Sequence, residues 1–197
     1  TSVIQDRPTP LVSMIESTQN FLVSNGFTEI NTYPMISEID FKSTSEDLIT
    51  QLNTLANPIS DQLSIMRSSL LASFLHIVKY HHLRQMIDLS LFEVGKTFHE
   101  TSEDMQLGLC LSGSFFKNIA NTHQQTLSKH LFQHLQSTLL NWAQHFHLPI
   151  TLVQESVPHW AHPKLYQNIF LGKHNIGVIA LVHPTCLDIF NITEPVG

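Results

Sequence analysis

A chain of 197 residues, 42% apolar and only 13% charged, is a folded body long enough for a substantial core without disulfide or metal support. Ten Lys plus Arg against sixteen Asp plus Glu give a formal charge of -6 with no basic cluster, which disfavours a direct grip on nucleic-acid phosphates. No apolar run approaches the ~18 residues of a membrane span and no charged-then-apolar leader opens the sequence, so the expected location is the cytoplasm.

Thr9 followed by Pro10 reads as a helix N-cap with proline in the first turn, where its missing N–H costs nothing. Leu11, Met14, Ile15, Thr18 and Leu22 then recur at three- and four-residue steps, and Asn25-Gly26 supplies a left-handed stop. The expected helix is amphipathic, with Met14 and Thr18 among its outward positions. After Phe27, the β-branched Thr28, Ile30 and Thr32 fall on one face of a strand that Pro34 ends at an edge. Residues 40–56 are mixed: a short strand, a loop around residues 43–45 and a polar helical turn.

The stretch from Asn57 to Leu71 reads as a loop, a short strand and the start of a helix capped by Ser68 or Ser69. Leu71, Phe74, Leu75, Val78 and His82 form that helix's apolar face. Residues 89–98 and 106–113 are expected as antiparallel strands across the polar loop at 100–104, with Leu107, Leu109 and Leu111 alternating against Gly108, Cys110 and Ser112. A long helix over 123–147 carries Leu127, Leu131, Leu135, Leu139, Trp142 and Phe146 on one stripe. Residues 165–171 and 176–182 flank Gly172-Lys173-His174-Asn175 as a hairpin, His183-Pro184 opens a short last helix, and residues 191–197 begin a further strand. Helices interleaved with hairpin-linked strands place the chain in the α+β class, an antiparallel sheet flanked by helices.

Chemistry is scarce. P-loop, dinucleotide and nucleophile-elbow motifs are all missing from the sequence. Cys110 and Cys186 sit in apolar settings and read as packing thiols, not nucleophiles. Thirteen histidines invite a metal reading, and His130 and His134 have helical i, i+4 spacing. They lie opposite the leucine stripe, without the adjacent glutamate of an H-E-x-x-H motif, so we read a solvated face. His162 and His183 each precede a proline, which biases them to extended backbone, and read as polar anchors at strand entry. Arg67 and Glu93 are charged residues inside apolar segments, costly unless paired, and the structural reading is that they tie the loop after Asn57 to the sheet. Phe92 and Phe98, on the opposite strand face from Glu93, read as core.

The segment Asn57-Pro58-Ile59-Ser60 through Met66-Arg67-Ser68-Ser69-Leu70-Leu71, followed by Leu91-Phe92-Glu93-Val94-Gly95-Lys96-Thr97-Phe98, resembles the core of the bacterial phenylalanyl-tRNA synthetase beta subunit. Three further stretches carry the same resemblance: Asn25-Gly26-Phe27 through Tyr33-Pro34, Trp160-Ala161-His162-Pro163-Lys164-Leu165, and Ile176-Gly177-Val178 through Val182-His183-Pro184. Lys164 replaces a family glycine, Ala180-Leu181 replaces a Gly-Glu pair, and residues 118–128 lack the usual acidic-aromatic approach to the long helix.

The resemblance implies a class II synthetase-like antiparallel fold over residues 1–197, a single catalytic-like domain excised from a longer beta subunit. It implies a scaffold without its own active site. Leu91 stands where active class II members place a phosphate-binding arginine, and no Gly-rich segment ending in Glu-Arg follows. No cofactor is then expected in this chain, whereas the α2β2 holoenzyme uses ATP and magnesium to join phenylalanine to tRNA(Phe) on the alpha subunit. The implied subunit contact is the first helix and strand, through Leu11, Met14, Ile15, Thr18, Phe27, Ile30 and Pro34, a surface that would drive self-association once the alpha subunit is removed. Asn57, Pro58, Arg67, Glu93, Gly95, His162, Pro163, His183 and Pro184 are expected as structural motif residues. The alternative is a free-standing paralogue whose emptied cleft holds a small ligand.

Overall fold

A computed structural model describes residues 9–45, 53–113 and 124–197. The expected elements at residues 46–52, the start of the long helix at 123, and most of the 118–128 departure lie outside the described residues.

Helix α1 (Pro10–Ser24) begins as its sequence dictates, with the Thr9 hydroxyl accepting from the Val12 N–H, and Gly26 at φ 85° redirects the chain after it. The strand that follows is shorter than its β-branched spacing suggests. β1 (Thr28–Glu29) pairs in parallel with β4 (Leu89–Phe98), and after the Ile30 N–H donates to the Phe92 carbonyl the chain leaves the ladder. Thr32 leaves because its hydroxyl and N–H are both drawn to Glu93. Beyond Pro34, β2 (Met35–Ile36) pairs antiparallel with β3 (Ile65–Met66) in a small ribbon apart from the main sheet.

In place of the expected short strand and loop, residues from 38 form helix α2 (Glu38–Thr44), because Ser37 and Asp40 make a reciprocal capping box. Helix α3 (Leu71–His82) starts one residue after the expected caps. Leu70 is its N-cap, and the Ser69 hydroxyl only reaches the Leu71 N–H at 3.4 Å. Its buried face is Ala72, Ser73, Phe74, Leu75 and Val78; Leu71 and His82 are half-buried.

β4 and β5 (Glu103–Ser112) pair antiparallel along their whole lengths, so the loop between them is shorter than read. After α4 (Gln124–His145), β6 (Ile150–Val153), β7 (Ala161–Leu171) and β8 (His174–Val182) form an antiparallel meander. The β7–β8 turn narrows to Gly172-Lys173, and Pro163 sits inside β7 at a register shift, the place a strand tolerates proline. The chain enters α5 (Pro184–Phe190) with the His183 ring accepting from the Thr185 N–H as the N-cap.

The expected final strand materialises only at residues 195–197. Leu111 and Gly197 exchange both backbone hydrogen bonds (2.7 and 3.0 Å), while the Val182 N–H donates to the Val196 carbonyl (2.8 Å). Val196, 1% exposed, stitches the edge of β5 to the edge of β8. Two cores result. Leu91, Cys110, Trp160, Tyr166 and Val196 pack with α3 and α5 on one face, and Phe92, Leu111, Ile179 and Leu181 pack with α1 and α4 on the other. Among the described residues no helix is long and apolar enough to cross a membrane.

Candidate functional site

β4 alternates its side chains between the two cores, so Leu91, Glu93, Gly95 and Thr97 share the face toward α3. Arg67, just past β3, reaches this face. Its Nε donates to the Lys96 carbonyl (3.0 Å), Nη1 to the Thr32 hydroxyl (2.6 Å) and Ser73 hydroxyl (3.3 Å), and Nη2 to Glu93 Oε1 (2.8 Å). The Thr32 hydroxyl passes its own proton on to Glu93 Oε2 (2.6 Å), closing a ring of three side chains. Arg67 and Glu93 are each 2% exposed, a depth at which either charge alone would be prohibitive. The backbone of Arg67 is pinned too, its N–H to the Pro34 carbonyl and its carbonyl to the Phe98 N–H. Loop, ribbon, helix and sheet therefore converge on one ion pair.

Glycines give this node its room. A β-carbon on Gly95 would come 2.7 Å from Glu93 Oε1 and closer still to Arg67 Nη2. Gly108, opposite Glu93 in register, faces Phe74 and Leu70, and a β-carbon there would lie 2.9 Å from Leu70 Cδ1. Side chains from α3 and the segment before it thus rest on the strand backbone itself. Further along, Leu91 and its cross-strand partner Cys110 are buried, and burial pushes the Cys110 thiol up to about 12.

What this face can do chemically follows from its charges. Binding and activating a nucleoside triphosphate needs cations aimed at the phosphates. The face offers one guanidinium, already bound to Glu93, Thr32, Ser73 and Lys96, and at the arginine position an isobutyl group, 5% exposed. These residues do not fit ATP. The small-ligand alternative meets the same obstacle, because the face is filled by Arg67, Leu70 and Phe74.

The other motif residues scatter. Asn57 and Pro58 are exposed on the loop before β3 and touch neither charge of the node. His162 uses Nδ1 to accept from the Lys164 N–H; burial lowers its pKa, and the nearby His183 and Lys164 lower it further. His183 is a helix cap and Pro184 its first helical residue, rather than a strand anchor. Leu181, in the family's glutamate position, is 4% exposed and packs beside α4. Cys186 is buried as read, its thiol pushed up to about 11. His130 is half-buried rather than solvated, and among the described residues no cluster of three His, Cys, Asp or Glu could hold a metal.

The expected contact surface divides. Thr18 is buried and accepts from Trp142 Nε1 (3.2 Å), and Phe27 is 4% exposed in the core beside Leu22 and Phe92. Neither faces a partner, because α4 already covers that half of the stripe. Leu11 (58% exposed) and Met14 (39%) belong to the same stripe but are uncovered, with Ile15, Ile30 and Pro34 half-buried. Thr32 and Ser73 were missed in the sequence; a threonine and a serine near two unpaired buried charges were the only signal.

The family model described as the phenylalanyl tRNA synthetase beta chain CLM domain matches residues 1–197. Phenylalanine–tRNA ligase beta subunits from Onion yellows phytoplasma and Aster yellows witches'-broom phytoplasma are 30% and 32% identical, over 91% and 86% of this chain. One from Rickettsia bellii is 31% identical over 92%. The chain spans about a fifth of the length of these relatives (20% to 21%). Two solved structures of a Desulfitobacterium hafniense pyrrolysyl-tRNA synthetase superpose with TM-scores of 0.71 and 0.73 at 16% and 17% identity, covering 98% of this chain and 66% of theirs. At that identity they establish the fold alone, the α+β architecture expected from the residues in the class II synthetase-like form that the resemblance implies.

Proposed function

Because the chain belongs to the phenylalanyl-tRNA synthetase beta chain CLM domain family, we propose that it is a non-catalytic scaffold domain within a longer, cytoplasmic phenylalanine–tRNA ligase beta subunit. It supports assembly with the alpha subunit, which performs the ATP- and magnesium-dependent charging of tRNA(Phe) with phenylalanine; tRNA is met through the holoenzyme. The observation that carries this reading is the filled sheet face: Leu91 buried where a phosphate-binding arginine would stand, with the Arg67–Glu93 pair beside it.

The proposed contact is the uncovered first half of α1, Leu11 and Met14, flanked by Ile15, Ile30 and Pro34. Two measurements test the reading. The purified 197-residue chain should show no phenylalanine-dependent pyrophosphate exchange, and the full-length subunit carrying Leu11→Asp and Met14→Asp should fold yet no longer co-purify with the alpha subunit. Exchange activity would sink the scaffold reading, and normal assembly of the double variant would move the contact elsewhere.

A further inference from the structure

Arg67 holds the chain on both sides of one residue. Its backbone N–H donates to the Pro34 carbonyl (2.9 Å), and its Nη1 donates to the Thr32 hydroxyl (2.6 Å). Between those two grips stands Tyr33, 73% exposed. Among the described residues the segment 31–34 joins no ladder: past the Ile30 N–H, its backbone bonds run only to Arg67 and, from the Thr32 N–H, to Glu93 Oε1 (3.4 Å). The shape of this segment is therefore set by the buried ion pair and not by a sheet.

Each neighbour narrows what Tyr33 can do. Thr32 turns inward to place its hydroxyl on Glu93 Oε2 (2.6 Å), and the next side chain points outward. Pro34 fixes its own φ and confines the residue before it to extended backbone. An aromatic residue whose backbone is held on both sides loses little further freedom when a partner covers it, which suits an exposed tyrosine to anchor an interface. The ion pair points the same way. A fully buried Arg–Glu pair is often no more stabilising than an apolar pair of the same volume, which leaves the geometry it imposes on the groups bonded to it as its distinct contribution. Thr32 and Pro34 are two of those groups.

We propose that Tyr33 is the anchor of the alpha-subunit contact and that Arg67, Glu93 and Thr32 are its positioning residues. This rests on the scaffold reading: Ile30 and Pro34, which flank the proposed contact, bracket this same segment. Charge gives the chemistry of the surface that receives the ring. Between residues 9 and 41 the only charged side chains are Glu16, Glu29, Glu38 and Asp40, with no Lys or Arg. Glu38 pairs with Lys42 and Asp40 bonds to His76, which leaves the exposed Glu16 and Glu29, next in sequence to Ile15 and Ile30. The matching face is an apolar recess wide enough for a phenol ring, with cations on its rim.

The test titrates full-length beta-subunit variants with the alpha subunit, at a temperature where a thermal melt shows each variant folded. Tyr33→Ala, at an exposed position, should leave the melting temperature nearly unchanged and weaken association about thirtyfold or more. Thr32→Val removes the hydroxyl between the two charges and should weaken association about tenfold, whereas Thr32→Ser keeps that hydroxyl and should restore it. In a Tyr33→Ala background, Thr32→Val should weaken association no further, because its effect passes through the ring. A lowered melting temperature with unchanged affinity for Thr32→Val, or a loss that adds in full to that of Tyr33→Ala, overturns the positioning role. Unchanged affinity for Tyr33→Ala, while Leu11→Asp with Met14→Asp abolishes assembly, overturns the anchor and leaves the scaffold reading standing. Unchanged affinity for both moves the contact elsewhere and overturns the anchor with it. Affinity that does not fall with added salt overturns the cationic rim.

Discussion

Gly95 lies directly beneath the guanidinium of Arg67, so close that no side chain larger than hydrogen fits between strand and ion pair. Gly95→Ala should therefore cost about 1–3 kcal/mol by overpacking, although its backbone would accept alanine. A lowered urea midpoint with an unchanged slope is the expected result.

Arg67→Ala leaves Glu93 buried without its cation and should cost about 3–5 kcal/mol. Replacing both, Arg67→Met with Glu93→Gln, should cost distinctly less than the single change, since the desolvation penalty of both charges is removed together. A double variant weaker than the single one would mean that the hydrogen bonds to Thr32, Ser73 and Lys96 dominate, not the charge pair.

Substitutions along α1 should separate into two behaviours. Thr18→Ala removes the acceptor of the Trp142 indole N–H and should lower stability by about 1–2 kcal/mol without touching assembly. Leu11→Asp and Met14→Asp, on exposed positions, should leave the melting temperature nearly unchanged. A thermal melt and a co-purification on the same three variants read both effects.

Stability should decline on acidification below about pH 6.5, the unperturbed histidine value. Burial holds the pKa of His82 below that value, and burial with the neighbouring His183 and Lys164 does the same for His162. The unfolded chain then binds more protons than the folded one, so the stabilisation is complete above the unfolded pKa and is lost as pH falls through the folded ones. His82→Gln, which preserves a hydrogen-bonding group toward Ser112 and the Ile87 carbonyl, should flatten the Tm–pH curve between pH 7 and 5. A second decline belongs to Asp40 at lower pH. Burial raises its pKa, but hydrogen bonds from His76 and Ser37 outweigh burial and leave it depressed, so that contribution persists down to the carboxylate range.

Most of the local signals were legible where the partner is close in sequence. Thr9, Pro10 and Gly26 bound α1 because a cap, a first-turn proline and a positive-φ glycine act within a few residues. The need of Arg67 and Glu93 for partners was legible as two charges in apolar segments; that each is the other's partner was not, because 26 residues separate them. Thr32 was misread as strand since its β-branch gives the same signal whether it joins a ladder or hydrogen-bonds to a carboxylate. Thr18 was misplaced for a similar reason: a helical stripe shows which side is apolar, not where the covering element stops, and Trp142 lies 124 positions away. The Ser37–Asp40 box escaped because its third position carries aspartate instead of the longer glutamate or glutamine.

The stitch of Val196 between β5 and β8 sets an order of events during synthesis. Its partner Ser112 leaves the ribosome long before it, so β1, β4 and β5 can pair, and β6, β7 and β8 can pair, while their facing edges still lack the residues that join them. A nascent chain stopped short of Pro195 would carry two half-sheets with open edges, each a template for pairing with a neighbour. Among the described residues the seat of Val196 is thus filled after both half-sheets have been made, and the burden of preventing misassembly until then falls on whatever holds the nascent chain.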